Sequence, residues 1–348
     1  MTNTIALPAR RRQSGVTLTE LMIALVLGAL VVLAATAMVV TSRGTYRTQD
    51  EGTRMAESAR FGLELANRMV RLAGYTNFGD DAGPPASYRD VDFTAWKVAP
   101  DSYAPNGPEV VGSNNSKPGG AAGVNGSDSL TIRFYGTSLP GTATVANGGT
   151  ADGNMLDCAG FAVPEPAQNE GAYTLSRAYN VLFVDADTAT DAEPALKCTR
   201  QVYDAVGNPT GLDTQTLIRG VESFQVLYGE AIPGAPPADD LDSFPPATIV
   251  YRTGIGGTNP VDQWDNVVSV RVAMLLRSGT GARPEPEPAS GVYRLFGDTY
   301  SAGAGATDPG VQFSLAALST LERTRVRRVV QTTIFLRNRV GLWPSLQQ

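Results

Sequence analysis

Gly15, Val16 and Glu20 are the residues whose types and spacing best suit this chain to chemistry. They lie in the string Gly15-Val16-Thr17-Leu18-Thr19-Glu20, with Arg10, Arg11 and Arg12 just upstream and the uncharged apolar run Leu21 to Val40 just downstream. A secretory leader has the order basic, apolar, small-residue cleavage site. Here the small residue precedes the apolar run. Proteolysis between Gly15 and Val16 would leave the hydrophobic segment on the mature chain, with a new amine at Val16. Glu20 is the lone carboxylate at the mouth of that segment. An ionisable group in a bilayer is costly and usually has a partner, which sets the string apart from an ordinary signal anchor.

The remaining chemistry is mostly excluded by composition. The chain has no histidine, which removes Ser-His-Asp triads, Cys-His pairs, His-metal sites and the HExxH motif. No phosphate-cradling G-x-x-x-x-G-K-[ST] string occurs. Carboxylates are plentiful, but no local spacing singles out a pair for acid–base work. These features indicate a protein that is not an enzyme and needs no cofactor. Cys158 and Cys198 are the only two cysteines. On the oxidising side of a membrane they read as one disulfide, worth ~4 kcal/mol in the chain-entropy treatment of a loop of about 40 residues. A redox or metal-binding thiol pair is the alternative, disfavoured by the wide spacing and the missing histidines.

Two helical stretches must position Glu20. Leu21 to Val40 carries only Gly28 and Thr36 as weak interruptions. About 20 helical residues span the ~30 Å hydrocarbon core. The basic leader should stay cytoplasmic by the positive-inside rule. From Arg43 to Ala73 there is no proline, and Met55, Ala59, Leu63, Ala66, Val70 and Ala73 recur on one helical face. Glu51–Arg54, Glu57–Arg60 and Glu64–Arg68 fall at helical spacing on the other face, and Gly74 suits the stop. Leu18 to Ala73 therefore reads as one helix of about 84 Å, membrane-embedded in its first half and amphipathic in its second.

After Gly79 the composition changes. Ala82 to Gly126, rich in Gly, Pro, Asn and Ser, reads as a surface excursion anchored by Phe93 and Trp96. Strands are expected at Leu130 to Tyr135, Tyr179 to Val184, Ser223 to Tyr228, Asn266 to Arg277, Val292 to Phe296 and Val329 to Leu336. In the strongest of these, Val268, Val270, Val272, Met274 and Leu276 share one face, while Ser269 and Arg271 lie on the other. Pro233 to Pro246 and the Pro-Glu alternation Pro284 to Pro288 read as loops or spacers, and there is no internal repeat. The fold class is α+β, with a mainly antiparallel sheet packed on the N-terminal helix.

The chain of 348 residues carries a formal net charge of −6, and loss of a leader with three arginines makes it more acidic. An acidic exterior disfavours nucleic acid as a partner. Arg323, Arg325, Arg327 and Arg328 read as a solvated face. The acid groups Asp185-Asp187-Asp191 and Asp239-Asp240-Asp242 read as solvated loops, since neither matches a calcium-binding string.

The leader string resembles the class III leader of type IV prepilins and pseudopilins, although Val16 stands where that family most often has Phe. Many major pilins also carry a helix proline, and none occurs from Val16 to Gly83. The stretches Cys158 to Gly160, Tyr179 to Val184, Glu193 to Cys198, Leu217 to Gly229, Trp264 to Ser278 and Arg327 to Arg339 resemble the PilW family of minor pilins. The resemblance implies a pilin-like fold with a leader 1–15, a transmembrane and assembly helix 16–42, an amphipathic helix 43–73 and a β-rich periplasmic head 74–348, of which 158–340 is PilW-like. It implies a prepilin peptidase acting at Gly15 and Val16, N-methylation of Val16, and a Glu20 that pairs with the α-amine of a neighbouring subunit. It implies an inner-membrane subunit that joins PilV-, PilX- and FimU-like minor pilins and the major pilin, primes pilus assembly, and ends at or near the tip beside a large adhesin. The J-type pseudopilin of type II secretion is the second reading.

Overall fold

A computed structural model of the chain describes residues 15–75, 108–167, 177–187, 192–231, 244–253, 260–262, 264–303 and 305–338. The anchors Phe93 and Trp96, the leader arginines, Asp191 and the Asp239 group lie outside the described residues. The chain divides into two compact units, Met1–Asp50 and Glu51–Gln348. One helix, α1 (Leu18–Leu72, 55 residues), has a part in each.

In the first unit the apolar helix packs against nothing among the described residues. Its most hydrophobic 18-residue window has a mean hydropathy of 2.8 and none of it is buried. Its threonines spend their hydroxyls on the preceding turn: Thr36 donates to Val32 O at 2.6 Å and Thr41 to Ala37 O at 3.0 Å. Such bonding satisfies these hydroxyls within the helix.

In the second unit α1 buries Met55, Ala59, Gly62, Leu65, Ala66, Met69, Val70 and Ala73. The face is broader than expected: Leu65 and Met69 are buried, whereas Leu63 is only half-buried. The charged face also differs. Arg60 pairs with Glu64 at 3.0 Å, and Arg68 donates to Asp157 O at 3.1 Å. The sheet domain offers Arg68 an acceptor that an isolated helix lacks. The helix stops where Gly74 adopts φ +70°, a left-handed turn that spares glycine the Cβ penalty. Asn338 Nδ2 caps the end, donating to Arg71 O at 3.0 Å and Ala73 O at 3.2 Å.

Five strands form an antiparallel meander in sequence order: β1 (Val110–Ser113), β2 (Ser129–Phe134), β3 (Ala178–Asp187), β4 (Glu193–Tyr203) and β5 (Pro209–Arg219). The chain then leaves for a second sheet at Gly220 (φ +76°), where a Cβ would lie 2.8 Å from Arg277 O. Next come β6 (Val221–Glu230), β7 (Tyr251–Thr253), β8 (Pro260–Asp262), β9 (Val267–Arg277), β10 (Val292–Arg294), β11 (Gln312–Ser314) and β12 (Arg327–Phe335). The second sheet runs β12-β9-β6, with all its pairings antiparallel, and β7-β8 and β10-β11 are small antiparallel pairs. Val110 and Val111 of β1 are core residues, so the stretch read as a surface excursion contains a buried strand. β4 and β5 were not expected over their length. β5 carries no apolar alternation, and its extended state comes from pairing with β4.

Val270, Val272, Met274 and Leu276 of β9 enter the same core as α1, as the alternation predicts. The opposite face is not solvated. Ala273 and Leu275 join Leu227, Leu295, Phe296, Val311, Phe313 and Leu315 in a second apolar cluster supplied by residues 295–315. Asp128 locks the two sheets together. Its carboxylate accepts from Asn115 N at 3.0 Å and Val226 N at 2.9 Å, while its own amide donates to Phe224 O at 2.8 Å. Burial pushes the Asp128 carboxyl well above the usual range despite those two donors.

The arginine run is not a solvated face. Arg327 is buried and holds Glu222 of β6 through Nε at 2.6 Å and Nη2 at 3.1 Å. Arg277 joins Glu222 and Glu322, each at 3.2 Å, and Arg325 pairs with Glu322 at 2.8 Å. Burial opposes ionisation of Glu322, yet the Arg325 hydrogen bond and the three surrounding guanidinium charges outweigh it and hold the carboxyl below its ordinary value. Only Arg328 of the run is exposed. Nor are Asp185 and Asp187 merely solvated: they pair with Lys117 and Arg219, each at 2.8 Å.

Candidate functional site: the mouth of the N-terminal helix and the disulfide loop

Gly15 and Val16 are extended and exposed, and the helix begins two residues later. Thr17 is the residue before the first turn and Glu20 the third within it. Thr17 N donates to Glu20 Oε2 at 2.9 Å, and Glu20 N donates to Thr17 Oγ1 at 3.3 Å. This reciprocal arrangement is a capping box, which satisfies two of the amides that a helix start leaves open. The Thr17 hydroxyl adds a third bond to Glu20 Oε2 at 2.9 Å. The spacing Thr-x-x-Glu before an apolar run signals this role in sequence, and reading Glu20 only as an intersubunit group missed it. Both bonds accepted by the carboxylate fall on Oε2. Among the described residues Oε1 has no partner, four positions along the chain from Val16. One side chain therefore does two things here: it starts the helix through Oε2 and leaves Oε1 without a partner among the described residues.

The head carries the second feature. Cys158 and Cys198 are joined, with Cα atoms 6.4 Å apart and a sequence separation of 40. Both are buried, which shields the bond from thiols in solution. Residues around Cys158 form a tight loop. Asp157 Oδ1 accepts from Ala159 N and Phe161 N, each at 2.9 Å, and its Oδ2 from Arg200 Nη1 at 3.1 Å. The Arg200 guanidinium stacks 3.8 Å over the Phe161 ring and reaches Asp213 at 3.2 Å. With Arg68 bound to Asp157 O, the loop is tied to α1, β4 and β5 together. Replacing both cysteines with serine should lower head stability by about 2–4 kcal/mol without changing the strand pairing. Urea denaturation, followed by the fluorescence of buried Trp264, gives the number; an unchanged midpoint would mean that Arg200 and Arg68 hold the loop without the bond.

No group of three or more His, Cys, Asp or Glu suited to a metal is present among the described residues.

The chain matches known families in two places. Residues 10–36 match the prokaryotic N-terminal methylation motif, and residues 181–338 match the family described as type IV pilus-assembly protein W. Among solved structures it is similar to a type IV-like pilin, TTHA1219 from Thermus thermophilus, at 12% identity and a TM-score of 0.28, over 75% of this chain and 100% of that one. No curated protein matches it.

Proposed function

Because the chain belongs to the PilW family of type IV pilins, we propose that it is a minor pilin of the inner membrane that enters an assembly complex through its N-terminal helix. A prepilin peptidase cuts between Gly15 and Val16, and the new Val16 amine is methylated. Residues 16–42 lie in the bilayer, the leader faces the cytoplasm, and the head faces the periplasm. Glu20 pairs with the α-amine of a neighbouring subunit. That complex, with PilV-, PilX- and FimU-like minor pilins, primes polymerisation of the major pilin and is carried to the pilus tip, beside a large adhesin.

The observation that carries this reading is the uncovered apolar helix that opens on Glu20, its Oε1 unpartnered among the described residues, five positions past Gly15. A soluble subunit would not leave such a face bare. A buried ion pair at each joint sets the register between helices more than it adds stability. N-terminal sequencing of the membrane-extracted protein should begin at a methylated Val16. A start beyond Val40 would remove the helix and end this reading.

A further inference from the structure

The sequence holds a single Asp–Pro bond, Asp308–Pro309. An Asp–Pro peptide is unusually open to attack by its own side chain. The carboxyl can reach the carbonyl carbon of the same residue, and the proline nitrogen, which carries no N–H, accepts a proton more readily than an ordinary amide. A solvated, ionised aspartate performs this attack very slowly near neutral pH. The reaction is favoured where the carboxyl is kept protonated, is held in place, and belongs to a backbone that is itself fixed.

The head supplies these conditions. Asp308 lies half-buried in the turn before β11. Asn114, just past β1, donates from Nδ2 to Asp308 Oδ1 at 2.8 Å, and the Tyr300 hydroxyl donates to Oδ2 at 3.4 Å. Asp308 N donates to Gly305 O at 3.2 Å. The far side of the bond is held independently. A Cβ on Gly126 would lie 2.6 Å from Gly310 N and 2.9 Å from Pro309 C, so two stretches of backbone are pressed together there. Gly310 adopts φ +80°, and Val311 beyond it is fully buried, its carbonyl accepting from Leu295 N at 3.0 Å. The titratable groups that act on one another around the turn are Asp308, Tyr300, Asp128 and buried Tyr228, and none of them is a cation. Burial pushes the Asp308 carboxyl above its ordinary value against its two donors. Asp128 is pushed further, by burial first and by the Asp308 charge last.

We propose that the head cuts its own chain here, with Asp308 as the nucleophile of an intramolecular cleavage of the Asp308–Pro309 bond. An oxygen of the protonated carboxyl attacks the Asp308 carbonyl carbon, the carboxyl proton passes to Pro309 N, and the C–N bond breaks. A cyclic anhydride is left on Asp308 and a free secondary amine on Pro309. Water then opens the anhydride to two carboxyls. Nothing is oxidised or reduced, and water is the one reagent consumed. Asn114 and Tyr300 are positioning residues that hold the carboxyl in one orientation. The two pieces stay assembled, because β11 remains paired with β10 and Arg327 of β12 still holds Glu222. The site lies wholly in the head and is independent of the helix joint at Glu20.

The test uses the full chain in detergent, incubated at about pH 5, above the usual aspartate range. Denaturing gels should show a slow split, and the small piece should begin at Pro309. The Cys158–Cys198 bond lies wholly on the large piece and does not mask the cut. The same chain unfolded in urea at that pH measures the lability of any Asp–Pro bond. The folded chain should cleave about tenfold faster, since each unit by which a carboxyl is raised multiplies its protonated fraction about tenfold above both values. Hydroxylamine should be captured at Asp308 as a hydroxamate, which a contaminating protease would not form. Asp308→Asn and Pro309→Ala, each checked for folding by the fluorescence of buried Trp264, should leave the chain intact over the same period. Asn114→Ala removes a donor that favours the ionised carboxyl. The plateau rate at low pH should therefore fall while the pH midpoint moves up, whereas a merely loosened turn would lower the rate and leave the midpoint in place. An intact wild-type chain, a folded rate no greater than that in urea, cleavage that survives Asp308→Asn, absence of the hydroxamate, or a midpoint unmoved by Asn114→Ala would each overturn the proposal.

Discussion

Glu20→Gln is expected to remove the protein from its membrane complex while leaving its helix start intact. Glutamine can occupy the third position of a capping box, so Thr17 N keeps an acceptor and only the charge is lost. Glu20→Ala loses both the charge and the cap. Thr17→Ala loses the cap oxygen and keeps the charge, at about 1 kcal/mol of helix stability. If the carboxylate neutralises a neighbour's amine in the bilayer, removing it leaves that amine buried and unpaired, worth about 3–5 kcal/mol, or roughly two to four orders of magnitude in association. Both Glu20 variants should therefore fail equally in co-purification with other minor pilins and in surface pilus counts, with Thr17→Ala close to normal. A normal Glu20→Gln beside a defective Glu20→Ala would assign the residue to helix capping alone.

Arg327→Ala is expected to destabilise the head by a similar amount, for the same reason within one chain. The Arg327 side chain is fully buried and that of Glu222 is 3% exposed. Truncation leaves Glu222 with Arg277 alone, which is already shared with Glu322 at 3.2 Å. Loss of one partner of a buried pair costs about 3–5 kcal/mol. The double substitution Arg327→Met, Glu222→Leu should recover most of this, because no buried charge is stranded. Arg328→Ala, on the exposed neighbour, should stay within about 0.5 kcal/mol. Urea midpoints of the detergent-solubilised chain give the ranking; equal losses for Arg327→Ala and Arg328→Ala would mean that the network carries no stability.

Gly74 shows how local chemistry makes a boundary readable: a glycine after the last apolar position of a helical stripe has few other uses, and it adopts the left-handed turn. Asn266 to Arg277 was similarly legible, because period-two alternation is a property of one strand and needs no partner. β5 was not. Its threonines and glutamine suit a loop equally well, and only the ladder with β4 holds it extended. Thr17 and Glu20 fall between these cases. Their spacing was visible, but the sequence reading gave Glu20 an intersubunit role alone and passed over the capping box that the structure shows.

By itself, then, the sequence determined the helix from Leu18 to Ala73, seen at Leu18–Leu72, its membrane-length apolar half and its amphipathic half, the principal apolar strands, and Glu20 as the residue at the helix mouth. These are decided within a few turns or a few residues, where spacing is the physics. Tertiary structure alone decided that Arg327 is a core residue, that Asp128 joins two sheets, that the far face of β9 is covered, and that β5 is the outer strand of its sheet among the described residues. Whether a charge is solvated or buried depends on what the chain brings to it from afar. Glu222 lies 105 residues from Arg327, and no spacing along the chain records that meeting.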